Sequence, residues 1–385
     1  MTVKGLANRA TLTGMAQAKD TLLQEYSDTT APFSVNGSVR TVTYLTRVDP
    51  LSGTVAKISE ERARRRVGIS TALDIRPIGD CDFCRYQERT PKEHVQHAGG
   101  AVSVPNLYPW EKYDWITIYP PFGNHKLLLS ELYFEDLECM IESSYDLALR
   151  CASDPGVTAF MDFTNWGPFA GASQQHPHSQ RKSVTKVLDP RQAEELTRCK
   201  ELAERYSANP FDLYAEEERR RGLRVIYDGE ILIAAAFAPS CPHEVLVFPK
   251  EQIAHILQTS ESQRRGLVQP TLGVFKALFF YLGVTDLNVA VHMAPFRDMD
   301  TARSYYRWHM HILPRRSRLP ADRAGAELGF GINIIDTLPE STADLLRRWY
   351  REGPREELLA TTEKGHPNLV LLGEFRRLRL SGTGP

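Results

Sequence analysis

The sequence predicts an α+β fold made of two similar halves, and three observations predict it. Short runs rich in β-branched residues, bounded by turn signals, alternate with longer stretches that carry an apolar stripe at helical spacing. A faint repeat sets Asn124-His125-Lys-Leu-Leu-Leu before one helical stretch and Pro242-His243-Glu-Val-Leu-Val-Phe before another, and a His-x-His pair closes each half, at His176/His178 and at His309/His311. A highly charged stretch from Pro190 to Gly222 lies between the halves.

In chain order, residues 1–40 read as a polar N-terminal extension, with a short docked helix around Ala16 to Tyr26 and no chemistry. Residues 41–195 make the first half. It opens at Val42 with two strands around the turn Asp49-Pro-Leu-Ser-Gly53, since Pro and Gly punctuate a β-branched run. Ala101 to Pro109 and Leu127-Leu-Leu read as strand material, and Ser130 to Leu149 as a helix with an apolar stripe. Residues 196–222 form a charged connection whose Glu-Glu-Glu-Arg-Arg-Arg suits an exposed helix; residues 223–350 make the second half and 351–385 a C-terminal segment. Residues 40 to 350 read as one domain.

A chain of 385 residues, 42% hydrophobic and 25% charged, can bury a sizeable core and has the composition of a soluble globular protein. A formal net charge of -1 supplies no global field toward nucleic acid or an anionic membrane, so neither is expected as a partner and small molecules are. The basic run Arg62 to Arg66 is local, and by itself reads as a solvated face. No apolar stretch approaches the ~20 residues that span a bilayer, and the first residues lack a signal-peptide core. A cytoplasmic protein is the expectation. Six cysteines in a chain of this length do not suggest a disulfide framework. Cys81 and Cys84 alone have metal-like spacing; Cys139, Cys151, Cys199 and Cys241 read as buried thiols.

The chemistry concentrates in Asn165-Trp-Gly-Pro-Phe-Ala-Gly-Ala-Ser-Gln-Gln-His176-Pro-His178-Ser-Gln180. Gly171, Ala172 and Ser173 would let backbone N–H groups approach an anion, and an exposed imidazole can attack phosphorus and leave again. A bare His-x-His is also what two surface histidines on a strand look like, so the flanking Asn165, Gly171, Ser173 and Gln180 carry the specificity.

This block resembles, without a gap, the active-site signature of the galactose-1-phosphate uridylyltransferases and related sugar-nucleotide phosphorylases of the histidine triad superfamily. The resemblance implies duplicated histidine-triad-like halves that share one antiparallel sheet, a half-barrel flanked by helices. It also implies that His176 is a metal ligand and His178 the nucleophile that forms a nucleotidyl-histidine. Gln180 and Ser173 would donate to the transition-state oxygens, a contribution of a few kcal/mol each. Asn165, Asn106, Gly171 and Ala172 would hold the nucleotide, and Arg62 and Arg65 would neutralise phosphate charge. Where the family usually has glycine between its nucleophile and glutamine, this chain has Ser179. Glu327 and Asn333 lie in a stretch resembling the family's reach across a dimer, so a homodimer is expected, and their pattern is closer to the phosphorylase-like branch.

Cys81-Asp-Phe-Cys84 can present two thiolates to one tetrahedral ion, with Zn–S bonds of about 2.3 Å. The resemblance nominates His125 and His176 as the remaining ligands of a structural zinc. The alternative is two unrelated thiols on a loop. His309 and His311 share a strand face, and the resemblance joins them to His292 and Glu194 in a second zinc or iron site. The alternative there is a set of hydrogen-bonded imidazoles. The leading functional expectation is a nucleotidyltransferase acting between a nucleotide sugar and a sugar 1-phosphate. A nucleoside-diphosphate-sugar or dinucleotide phosphorylase using inorganic phosphate is the runner-up, and a metal-stabilised nucleotide binder without turnover is the third reading.

Overall fold

The computed structural model describes residues 22–29, 33–35, 38–40, 43–58, 81–90, 95–106, 109, 111–120, 122, 126, 128–185, 190–315 and 325–352. The N-terminal part holds β1 (Gln24–Thr29), β2 (Phe33–Val35), β3 (Ser38–Arg40), β4 (Thr43–Val48) and β5 (Val55–Ile58). The first half continues with helix α1 (Tyr86–Arg89), β6 (Gln96–Ala98), β7 (Ala101–Pro105), β8 (Asp114–Ile118), α2 (Phe134–Ala152), β9 (Ala159–Trp166) and β10 (His178–Val184). Helices α3 (Pro190–Tyr206) and α4 (Pro210–Arg221) follow. The second half has β11 (Val225–Asp228), β12 (Ile231–Ala235), β13 (Val245–Pro249), α5 (Glu261–Leu282), β14 (Asp286–His292), α6 (Met299–Ala302) and β15 (His309–Arg315). The described chain closes with α7 (Gly325–Phe330), β16 (Ile332–Ile335) and α8 (Pro339–Glu352).

Ten strands form one sheet in the order β11-β12-β13-β15-β14-β9-β10-β8-β7-β6, and each neighbouring pair is antiparallel. The order is symmetric about the β9–β14 seam, five strands from each half, as the α+β expectation of one shared sheet requires. The repeat is offset from the one legible in the sequence. β10 starts at His178 and β15 at His309, and each of these imidazoles donates from Nδ1 to the carbonyl two residues back, His176 at 2.8 Å and Arg307 at 2.9 Å. His178 therefore corresponds to His309 rather than to His311: in the first half the His-x-His pair straddles the strand start, whereas in the second both histidines lie inside the strand.

Alternation along β10 sends Ser179 and Arg181 to one face of the sheet and His178, Gln180 and Lys182 to the other. The first face packs against α2 and α5. There Leu147, Phe160, Val245, Phe275, Leu287 and Ile312, drawn from both halves, belong to one buried apolar cluster. Ser260 and Gln263 form a capping box at the start of α5, and Gly283 ends it in the left-handed conformation. The opposite face is covered unequally. Over the second half, α4 and the sheet β1-β4-β5-β16 bury Phe211, Tyr214, Leu232, Phe248, Ile58 and Ile335 together. Over the first half, a smaller cap of Phe83, Tyr86 and Phe122 rests on Val102, Val104 and Ile118.

Three local expectations change. Tyr26 lies in strand β1 rather than in a helix, where pairing with β4 overrides local propensity. Leu129 to Glu131 forms a single 3-10 turn before α2, and α2 starts at Phe134 rather than Ser130 because Asp136 accepts the Tyr133 N–H at 2.6 Å and sets the helix start there. The charged connection is two helices that bury Phe211, Tyr214 and Glu218 against the second half, so it is part of the core as well as of the surface. The two strands around Asp49-Pro-Leu-Ser-Gly53 are β4 and β5, with Asp49 Oδ1 accepting from the backbone of Leu51 and Ser52 at 3.0 and 2.8 Å. Among the described residues no helix is long and apolar enough to cross a membrane.

Candidate active site and metal clusters

His178 opens β10 opposite Ile118 of β8 and is 4% exposed. Its Nδ1–H is held by the His176 carbonyl at 2.8 Å, which leaves the ring's lone pair on Nε2. Burial lowers the pKa of this imidazole, and the bond to the His176 carbonyl opposes that shift; the net direction is downward, toward the neutral ring. Phe83, inside the Cys81–Cys84 turn, meets the His178 ring edge to face at 5.1 Å. Gln180 is half-buried two residues along the same face.

The loop from Gly167 to Gln175 brings Asn165 and the small residues to this strand. Gly167 is required on two counts: its φ is +85°, and a Cβ there would lie 2.2 Å from Asp286 Oδ1. Asp286 in turn accepts the Phe169 N–H at 2.9 Å. Asn288, across the seam on β14, donates to Asn165 Oδ1 and to the Ala170 carbonyl, both at 2.8 Å. The expected anion cradle is corrected in part. The Gly171 N–H donates to Pro168 at 3.0 Å and the Ala172 N–H to Gly167 at 3.2 Å, so both are used inside the loop. Ser173 is exposed at the loop tip. Asn106 lies at the far end of the ladder, where its side chain donates to Asp114 Oδ1 at 3.1 Å and Asp114 pairs with the fully buried Lys182. Arg62, Arg65 and His125 lie outside the described residues.

Cys81, Cys84 and His176 come together, their donor atoms all within 4.8 Å of one another. His176 Nδ1 stands 3.8 Å from Cys81 Sγ and 3.4 Å from Cys84 Sγ. Bonds of about 2.3 Å to sulfur and about 2.0 Å to nitrogen at a tetrahedral ion put those atoms about 3.5 Å apart, so the trio fits a zinc-like ion. The Tyr119 carbonyl accepts His176 Nε2–H at 2.5 Å, fixing the tautomer whose Nδ1 lone pair faces the two sulfurs.

The second cluster is Glu195, His292, His309 and His311. Glu195 replaces the expected Glu194: adjacent residues on α3 diverge by about 100°, and it is Glu195 that is buried against the histidines while Glu194 is exposed. His292 Nδ1 is 2.8 Å from Glu195 Oε2, and His309 Nε2 is 3.0 Å from Oε1 yet makes no hydrogen bond among the described residues. Glu244 anchors His311 Nδ1 at 2.7 Å. Burial raises the Glu195 carboxyl pKa, but His309 and His292 more than offset this and hold it well below the usual range. Three imidazoles, a carboxylate and an orphaned buried nitrogen suit a borderline divalent metal.

No protein-family model matches the sequence. The chain is 24% identical over 198 residues to an ADP-glucose phosphorylase of Arabidopsis thaliana, covering 51% of this chain and 54% of that protein. It is 26% identical over 244 residues to a galactose-1-phosphate uridylyltransferase of Streptomyces lividans, covering 58% of this chain and 66% of the relative. A crystal structure of the Arabidopsis thaliana ADP-glucose phosphorylase with bound ADP-glucose superposes with a TM-score of 0.67 at 20% identity, covering 78% of this chain and 98% of that one. In sequence the chain is similar to an ADP-glucose phosphorylase and to galactose-1-phosphate uridylyltransferases, and in fold it is similar to the former. The matches span about half and about two thirds of the two curated relatives. Asn288, Asp286 and Tyr119 support the uridylyltransferase-like block without belonging to it; the sequence signal for the first two was the polar pair inside the apolar strand Asp-Leu-Asn-Val-Ala-Val-His.

Proposed function

We propose that the chain moves a nucleoside monophosphate from a nucleotide sugar to a phosphate-bearing acceptor through a covalent nucleotidyl-histidine on His178. The observation that carries this reading is the Nδ1–H bond from His178 to the His176 carbonyl, which leaves the Nε2 lone pair for attack at the end of the Asn165–Gln180 block. The Nε2 lone pair attacks the α-phosphorus in line, the bond from phosphorus to the bridging oxygen breaks, and the sugar 1-phosphate leaves with that electron pair. An acceptor phosphate oxygen then attacks the same phosphorus, the P–N bond breaks, and the imidazole leaves neutral. Gln180 and Ser173 serve as donors to the non-bridging oxygens, and Asn165, Arg62 and Arg65 hold the nucleotide, while Asn106 is tied to Asp114 at the far end of the ladder.

Cys81, Cys84 and His176, with His125 as the fourth ligand, would hold a structural zinc ion that fixes the entry to β10. Glu195, His292, His309 and His311 would hold a second zinc or iron ion. Leu328 and Phe330, exposed by 73% and 81% on α7, favour a homodimer whose partner covers them. The first acceptor reading is a sugar 1-phosphate. A phosphorylase reading, with inorganic phosphate as acceptor, is supported by the sequence similarity to an ADP-glucose phosphorylase.

The test is direct. Mixing the protein with ADP-glucose or UDP-glucose labelled in the α-phosphate should leave acid-labile label on His178, and His178→Gln should abolish it while fold and metal content stay intact. Label retained in His178→Gln sinks the mechanism. Adding phosphate or galactose 1-phosphate to the labelled enzyme then identifies the acceptor, because each releases a different nucleotide product.

A further inference from the structure

Ser179, beside the nucleophile in the uridylyltransferase-like block, has no part in the proposed reaction. It points to the helix side of the sheet, away from the reacting face, and is 2% exposed. Its hydroxyl accepts from Tyr119 Oη at 2.6 Å and lies 2.5 Å from Thr164 Oγ1. Three hydroxyls from the neighbouring segments of β8, β10 and β9 thus form a chain beneath the nucleophile.

Tyr119 does more than close this chain. Its backbone N–H donates to the Pro177 carbonyl at 3.2 Å, and its own carbonyl accepts His176 Nε2–H at 2.5 Å. One residue, 1% exposed, therefore grips His176, Pro177 and Ser179, which are the residues on both sides of His178. The grip rests on a firm base. The Arg181 guanidinium lies 5.8 Å from the Tyr119 ring and is itself tied to Asp162 at 3.2 Å, to Ser143 Oγ at 2.9 Å and to the Met140 carbonyl of α2 at 2.8 Å.

We propose that Tyr119 is a positioning residue that, through Ser179, sets where His178 Nε2 stands relative to the α-phosphorus. The inference deepens the proposed nucleotidyl transfer and rests on it. In-line attack tolerates little displacement, and a shift of about 1 Å at the nucleophile costs about 100-fold in rate. A tie on only one side of His178 would let the strand start pivot about the other. Pro177 and His176 are held from before the nucleophile by the backbone of Tyr119, and Ser179 from after it by the phenol.

The test is Tyr119→Phe, which deletes one buried hydroxyl and keeps both backbone bonds and the ring. With ADP-glucose or UDP-glucose labelled in the α-phosphate, single-turnover labelling of His178 should slow 10- to 100-fold. The nucleotide-sugar concentration at half-maximal rate should change less than about 3-fold, and metal content per chain should not change. Ser179→Ala should slow labelling by a similar factor, and the double variant little more than either single one, because both break the same tie. Thr164→Val, an isosteric change at the far end of the chain, should slow labelling by less, and serves if Tyr119→Phe does not fold. Wild-type labelling rates in Tyr119→Phe, or in Ser179→Ala and Thr164→Val where the first variant is unfolded, overturn the clamp and leave the reaction standing. Absence of label in the wild type removes the reaction and the clamp with it.

Discussion

His255 is wholly buried, with Nδ1 accepting the Leu257 N–H at 3.1 Å and Nε2 making no hydrogen bond among the described residues. Burial pushes its pKa down to about 3 from the ordinary 6.5. Between these values the unfolded chain binds a proton that the folded chain refuses. Stability is therefore full above pH 6.5 and declines as pH falls toward 3, by up to about 1.4 kcal/mol per pH unit. His255→Gln keeps an acceptor for Leu257 and removes the titration, so its urea stability should change less between pH 7 and pH 5 than that of the wild type. Equal changes in the two proteins would show that His255 does not titrate on unfolding. At the same scale, Cys81→Ser is expected to lower zinc content and thermal stability together, since a structural metal contributes folding free energy. Unchanged zinc stoichiometry by elemental analysis would remove Cys81 from the ligand set. The thiols and His176 were legible because ligand chemistry restricts the residue types. The choice between Glu194 and Glu195 was not, because it depends on the rotation of α3 about its axis, which turns Glu195 toward His292 and His309.

Elements show a different boundary between what sequence carries and what packing adds. The turn from β4 to β5 is written in Asp49-Pro-Leu-Ser-Gly53, where Asp49 bonds Leu51, Ser52 and Gly53 within the turn. The loop after β9 is not local in that sense. Its glycines were visible, but Gly167 is demanded by Asp286, a residue 119 positions later on β14, and the loop consumes the very N–H groups that its composition suggested for an anion. Gly167→Ala must both adopt a positive φ and displace Asp286 from the Phe169 N–H, an expected loss of about 2–4 kcal/mol. Denaturant unfolding measures this directly, and a loss below about 1 kcal/mol would mean the loop repacks without Asp286.

At the scale of the whole molecule, the two halves share a strand plan but not a surface. Beside His309, the counterpart of His178, the face of the sheet is filled: the Phe211 ring sits 5.2 Å away and the Tyr306 ring 5.6 Å away, with Phe248 behind them. Over His178 the cover is the smaller cap that includes Phe83, 5.1 Å from its ring. The helix side is common property. Leu147 and Phe160 pack in the same cluster as Phe275 and Ile312, and β9 pairs with β14 over five residue pairs. Neither half can unfold without exposing apolar surface of the other and an unpaired strand edge, which couples their stabilities. We therefore expect one cooperative denaturant transition. Tryptophan fluorescence supplies local probes, Trp115 and Trp166 in the first half and Trp308 and Trp349 in the second, in variants keeping one pair or the other. Midpoints that agree for the two pairs, after correction for each variant's own stability, support a single folding unit from the first strand of the large sheet to α8. Two separated midpoints would show that the seam is an interface between independent domains.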